Sequence, residues 1–128
     1  MAYNNSKTVD CSFDDIFPKL TEELSKEGFG VVTEVNMQET LKKKLNVDFR
    51  KYKIIGVCNP GFAYKAISAE ENIGVLLPCN FVLQEKEEGK VQISVINPMI
   101  SMQSVKNNAL DPIASEVSEK LKRVLEAL

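Results

Sequence analysis

Apolar positions along the chain recur either at every second residue or at every third and fourth, in blocks separated by Gly, Pro and Asn. Residues 7–11 read as a short β segment. Ser12 and Asp15 follow at the three-residue spacing of a capping box, and Ile16, Phe17, Leu20 and Leu24 share one helical face up to Gly28, a left-handed stop. Pro18 leaves two starts open. With Ser12 as N-cap it lies beyond the first turn and removes a backbone bond; with Asp15 as N-cap it falls in the tolerated first turn. Residues 30–35 alternate as a strand, and Asn36 with Glu39 caps a short helix carrying Met37, Leu41 and Leu45, which Asn46 closes.

The second half repeats these signals. A strand over 52–58 runs into Asn59-Pro60-Gly61, a turn signature, and residues 62–68 read as a helical turn or two. Pro78 precedes a strand over 79–86, residues 87–89 make a hairpin turn, and Val91, Ile93 and Val95 alternate on the returning strand. Asp111 and Pro112 read as N-cap and first-turn proline of a helix whose Ile113, Val117, Leu121, Val124 and Leu128 share a face. Glu116 with Lys120, and Glu119 with Arg123, are placed for ion pairs four residues apart. The order strand, helix, four strands, helix predicts a single α+β domain over 1–128, with an antiparallel sheet of about five strands and both long helices on one face.

Composition narrows the chemistry more than the fold. With 128 residues the chain is long enough for a core without metals or disulfides. Sixteen basic against eighteen acidic residues leave a net charge of −2, so the broad positive field of a nucleic-acid binder is missing. The cluster Lys42, Lys43, Lys44, Arg50, Lys51 and Lys53, with Phe49 and Tyr52 nearby, is the one nucleic-acid lead, and Glu34, Glu39 and Asp48 beside it favour a solvated surface. There is no histidine, which excludes Ser-His-Asp and Cys-His catalysis and histidine metal sites. No carboxylate pair or activated serine stands in for them, so no reaction and no cofactor is assigned. Three cysteines without metal-type spacing, a polar N-terminus and no long apolar run lead to the expectation of a cytoplasmic, non-membrane protein.

The stretches Thr8-Val-Asp-Cys-Ser-Phe-Asp-Asp15, Glu27-Gly-Phe-Gly-Val31, Cys58-Asn-Pro60, Phe62-Ala-Tyr64 and Gly74-Val-Leu-Leu-Pro-Cys-Asn80 together resemble the family known as domain of unknown function 302. The resemblance implies the same strand-helix-four strands-helix order, similar to the TATA-box-binding-protein-like class of folds, and a homodimer; it implies no activity. Asn59, Pro60 and Pro78 match the wider family pattern, whereas Cys58 and Cys79 match one branch of it.

Were the strands ending at Cys58 and beginning at Cys79 antiparallel neighbours, both proline motifs would meet at one end of the sheet. Three readings of that end stay open. The first is a small-ligand or anion site with Asn59 and Asn80 as amide partners, Tyr64 as a hydroxyl and Lys65 as a charge. The second is a thiol site in which Cys58 and Cys79 hold a soft metal ion or cycle between dithiol and disulfide. The third is an interaction module that forms a dimer and turns nothing over. Cys79 shares its parity with Phe81 and Leu83 and is expected to point inward, while the direction of Cys58 is left open.

Overall fold

The computed structural model describes residues 2–128. Five strands, β1 (Asn4–Asp10), β2 (Gly30–Asn36), β3 (Tyr52–Cys58), β4 (Cys79–Glu87) and β5 (Lys90–Ile96), form one antiparallel sheet in the order β1-β5-β4-β3-β2. Two long helices, α1 (Phe13–Lys26) and α5 (Asp111–Glu126), cover one face. Shorter helices α2 (Met37–Leu45), α3 (Pro60–Ala69) and α4 (Pro98–Ser101) lie in the connections. The α+β architecture and the strand-helix-four strands-helix order expected from the periodicities are therefore found, with the minor helices as elaborations.

The pleat sorts the strands' side chains, and the helices take the apolar set. Ile55, Phe81 and Val95 lie in register across three strands, Leu83 and Ile93 across two, and all five are buried beneath α1 and α5. From above, Ile16, Leu20 and Leu24 of α1 and Val117, Leu121 and Val124 of α5 close the same core. Fully burying such a side chain contributes about 1.5–3 kcal/mol, so the layer interface dominates the stability of the fold. A second, smaller cluster of Ala66, Ile73 and Leu110 joins α3 to the segment leading into α5.

Among the described residues no long helix covers the opposite face. Its central row runs Val35, Ile54, Val82, Ser94, Ser6 across all five strands. The next row runs Tyr52, Gln84, Gln92, Thr8. Among the described residues, charge appears on this face toward the β4–β5 hairpin, where Lys90 pairs with Asp10 and stands opposite Glu87, and at one rim, where Arg50 donates to Gln84 Oε1 at 3.0 Å.

Helix ends follow local chemistry, with several departures from the sequence reading. Ser12 is the N-cap of α1 and accepts from the Asp15 amide, so Pro18 does sit inside the helix. Gly28 (φ 83°) and Asn46 (φ 55°) are the left-handed stops expected of them. The turn read at Asn59-Pro60-Gly61 is instead the start of α3: the same residue types that make turns also place a proline at the first helical position, where its missing N–H costs nothing. Asp111 is the first residue of α5 rather than its cap; Leu110 holds that position, at the end of a short 3-10 turn, Asn108–Leu110. β1 starts earlier than read, at Asn4, and ends one residue sooner, at Asp10, because its pairing with β5 runs from Asn4 to Asp10.

The cations of α5 also go elsewhere than predicted. Lys120 Nζ and Arg123 Nη2 reach Glu27 Oε1 at 3.7 and 2.9 Å, tying α5 to the C-terminal end of α1. Hydrogen bonding from Arg123 holds the Glu27 carboxyl below its ordinary value of 4.5. A depressed carboxylate contributes its stability above that value and loses it as pH falls through the folded one. Glu27→Gln is therefore expected to flatten the fall of melting temperature between about pH 5 and pH 3. A pH–melting series of the two proteins checks this, and parallel curves would leave the pair without a role in acid stability.

Candidate functional site

Strands β3 and β5 end, and β4 begins, at the same edge of the layer, and each boundary carries a proline: Asn59-Pro60, Pro78-Cys79 and Asn97-Pro98. The two Asn-Pro pairs start helices α3 and α4, which turn the chain away from the sheet. Between them the strand ends leave a cleft of about 330 Å³. Val57 and Cys79 contribute from the sheet, Phe62 and Ile67 from α3, and Ile113 and Val117 from α5. The space exists because three further lining positions on these helices, Ala63, Ala66 and Ala114, are alanines; larger side chains there would fill it. Leu77, Pro78 and Met102 complete an almost wholly apolar wall.

The predicted site residues divide among different surroundings. Cys58, Cys79 and Asn59 all line the cleft. Tyr64 points outward and is 76% exposed. Lys65 Nζ sits 5.7 Å from the ring centroid of Phe62, so one ring separates its charge from the cleft. Asn80 lies on the opposite face, in a hollow of about 420 Å³ with Tyr52, Gln84 and Gln92. The structure thus brings Asn59 and both cysteines together, with Lys65 at the margin, and separates Asn80 from them by the thickness of the sheet.

Asn59 has a structural task as well. Its amide nitrogen donates to the Glu27 carbonyl at 3.3 Å, and a Cβ on Gly28 would stand only 3.0 Å from that nitrogen. Asn59 therefore links the start of α3 to the end of α1, where Glu27 in turn meets Arg123 of α5. Its side chain makes no capping bond to α3.

Cys11, Cys58 and Cys79 are all free thiols. Burial, with a smaller contribution from the neighbouring Cys58, pushes the Cys79 thiol up to about 11, so it is protonated at neutral pH and a weak nucleophile. The inward direction expected for Cys79 is found, and Val57, its register partner, is buried on the same side. Among the described residues, no three of His, Cys, Asp and Glu come together as a metal-holding group. The basic cluster is partly self-neutralised: Lys42 pairs with Asp48 at 2.9 Å and Lys53 with Glu34 at 3.0 Å, while Arg50 stacks 4.4 Å from the Phe49 centroid. Among the described residues no helix is long and apolar enough to cross a membrane.

Sequence reasoning missed the third proline boundary, Asn97-Pro98. Its signal was present, since it repeats the strand-Asn-Pro pattern of residues 58–60 two strands away. Leu77, Met102 and Ile113 gave no such signal, because chain folding alone brings them together.

Fold and cleft define a two-layer α+β domain with an apolar cleft at the strand ends. The chain belongs to the family described as Domain of unknown function DUF302, whose model matches residues 5–128. It is similar in structure to the uncharacterized conserved protein DUF302 from Bacillus stearothermophilus, known from its crystal structure. That protein is 27% identical, with a TM-score of 0.91 over 99% of this chain and 98% of that one. No curated protein matches the chain.

Proposed function

We propose that the chain is a binding domain that takes a small, mostly apolar molecule into the cleft, and that it works as a homodimer in the cytoplasm. The observation that carries this reading is the cleft itself. A half-open cleft of about 330 Å³ lies beside the filled core, at the lower end of the ~300–1,000 Å³ range of ligand pockets. Its walls favour a hydrocarbon or aromatic body. Polar specificity would come from few groups: the Asn59 side-chain Oδ1 as an acceptor, and Lys65 beside Phe62 as a partner for an acidic end. Tyr64 and Asn80 stand outside this cleft. The homodimer follows from the family resemblance, and three free thiols favour a reducing compartment.

A second reading has its own observation: Cys58 and Cys79 line the same cleft, with the thioether of Met102 on its wall. Such a soft set would take a soft metal ion or form a disulfide. The protonated state of Cys79 weighs against this, since both reactions begin from thiolates.

Native mass spectra of protein purified without chelator or reductant test both readings. An organic mass retained by the wild type and absent from Ala63→Trp, which fills the cleft from α3, is the expected result. The same variant should lower the affinity for the apolar fluorophore 1-anilinonaphthalene-8-sulfonate about tenfold or more. Metal mass or lost thiol hydrogens would bring the thiol reading forward. An empty protein whose fluorophore binding ignores Ala63→Trp would sink the ligand reading.

A further inference from the structure

We infer that the face of the sheet opposite the long helices is the surface on which a second copy of this chain docks. The inference rests on the homodimer reading above and assigns its interface.

Charged residues make up 27% of the chain, yet the two central rows of this face, from Val35 to Ser6 and from Tyr52 to Thr8, contain none. Ser, Thr and Gln hydrate readily, so the part of this face that gains from a cover is the apolar strip Val35, Ile54 and Val82. Charge distribution also selects the occupant. Nucleic acid and anionic membranes need a basic surface, and this one offers Arg50 at a rim and Lys90 near the hairpin, already paired with Asp10. A two-fold axis brings a surface against itself, so a charged centre would repel its own image, whereas an uncharged one does not. Gln84, Gln92 and Ser94 each carry both donor and acceptor groups and can bond to their own symmetry mates. Ile54 and Val82 supply an apolar centre within that polar ring.

Shape and area agree with the same occupant. The face is hollowed by about 420 Å³ between Tyr52, Gln84, Gln92 and Ser94, and twisted sheets pack face to face with their strands about 30° apart. Five strands at ~4.8 Å, with an uncharged length of about 20 Å along them, give roughly 500 Å² of projected surface per copy. The total of about 1,000 Å² is at the threshold for a specific interface, so the dimer is expected to dissociate in the micromolar range.

Sedimentation velocity of the full chain from about 1 to 100 µM tests this over the relevant range. The wild type should pass from monomer to dimer. Val82→Arg, at the middle of the central row, should raise the dissociation constant at least about 100-fold by placing like charges across the axis, with an unchanged circular dichroism spectrum. Ser94→Arg, beside it on β5, gives the same reading should Val82→Arg not fold. Glu22→Arg on the outer side of α1 should leave association as in the wild type. A dimer indifferent to both sheet substitutions overturns this interface and leaves the homodimer reading standing. A wild type that stays monomeric throughout, whether its face is bare or carries some other molecule, overturns both.

Discussion

Phe81→Ala is expected to remove about 3–5 kcal/mol of stability, the range for deleting a fully buried aromatic side chain. Phe81 is 0% exposed and stands on the middle strand, in register with Ile55 on one side and Val95 on the other, both buried. No neighbour can collapse into the space without leaving its own strand pairing, so most of the cavity would persist. Domains of this size are stable by only about 5–15 kcal/mol, which makes the loss a large fraction of the whole. In urea, with a slope of about 1–3 kcal/mol per molar, the midpoint should fall by roughly 2 M. A fall below about 0.5 M would show that the core closes around the deletion, contrary to the layered packing described above.

Gly56→Ala is the second large effect, and it comes from excess rather than from loss. A Cβ at this position would lie 2.1 Å from Thr33 Oγ1 and 2.6 Å from Pro78 Cγ. Thr33 is held opposite by the β2–β3 register, and the proline ring has little freedom to move aside. We expect a cost of about 3 kcal/mol, the upper part of the range for overpacking. Thr33→Ala in the same chain removes the nearer obstacle and should restore part of that loss, leaving the contact with Pro78. Urea midpoints of the two single variants and the double variant measure the coupling. Independent, additive losses would mean that the Gly56 effect has another origin.

Phe81 was legible as a core residue from alternation alone, because Cys79, Phe81 and Leu83 form one parity set in β4. Gly56 was not. Its need for a missing side chain depends on Thr33 and Pro78, each more than twenty residues away, and only the folded sheet brings them there. The same limit divides the candidate site. Alternation along β4 already requires that Cys79 and Asn80 face opposite ways, so a site using both Asn59 and Asn80 had to bend around the strand end; the structure puts Asn80 in the outer hollow instead. The left-handed stops at Gly28 and Asn46 were readable because one residue's conformation decides them. Asn59-Pro60-Gly61 was ambiguous because turn and helix start draw on the same residue types. Lys120 and Arg123 illustrate a tertiary partner outcompeting a local one: Glu27 is less exposed than they are and receives both.

The three alanines that line the cleft set its size. The cleft is a deficit of side-chain volume on α3 and α5 rather than a gap in the backbone, so its size changes by exchanging Ala63, Ala66 or Ala114 while every strand register stays in place. Under the ligand reading proposed above, such an exchange changes the size of the molecule taken up and leaves the scaffold alone. A TM-score of 0.91 at 27% identity shows how much of the sequence varies while that scaffold stays the same.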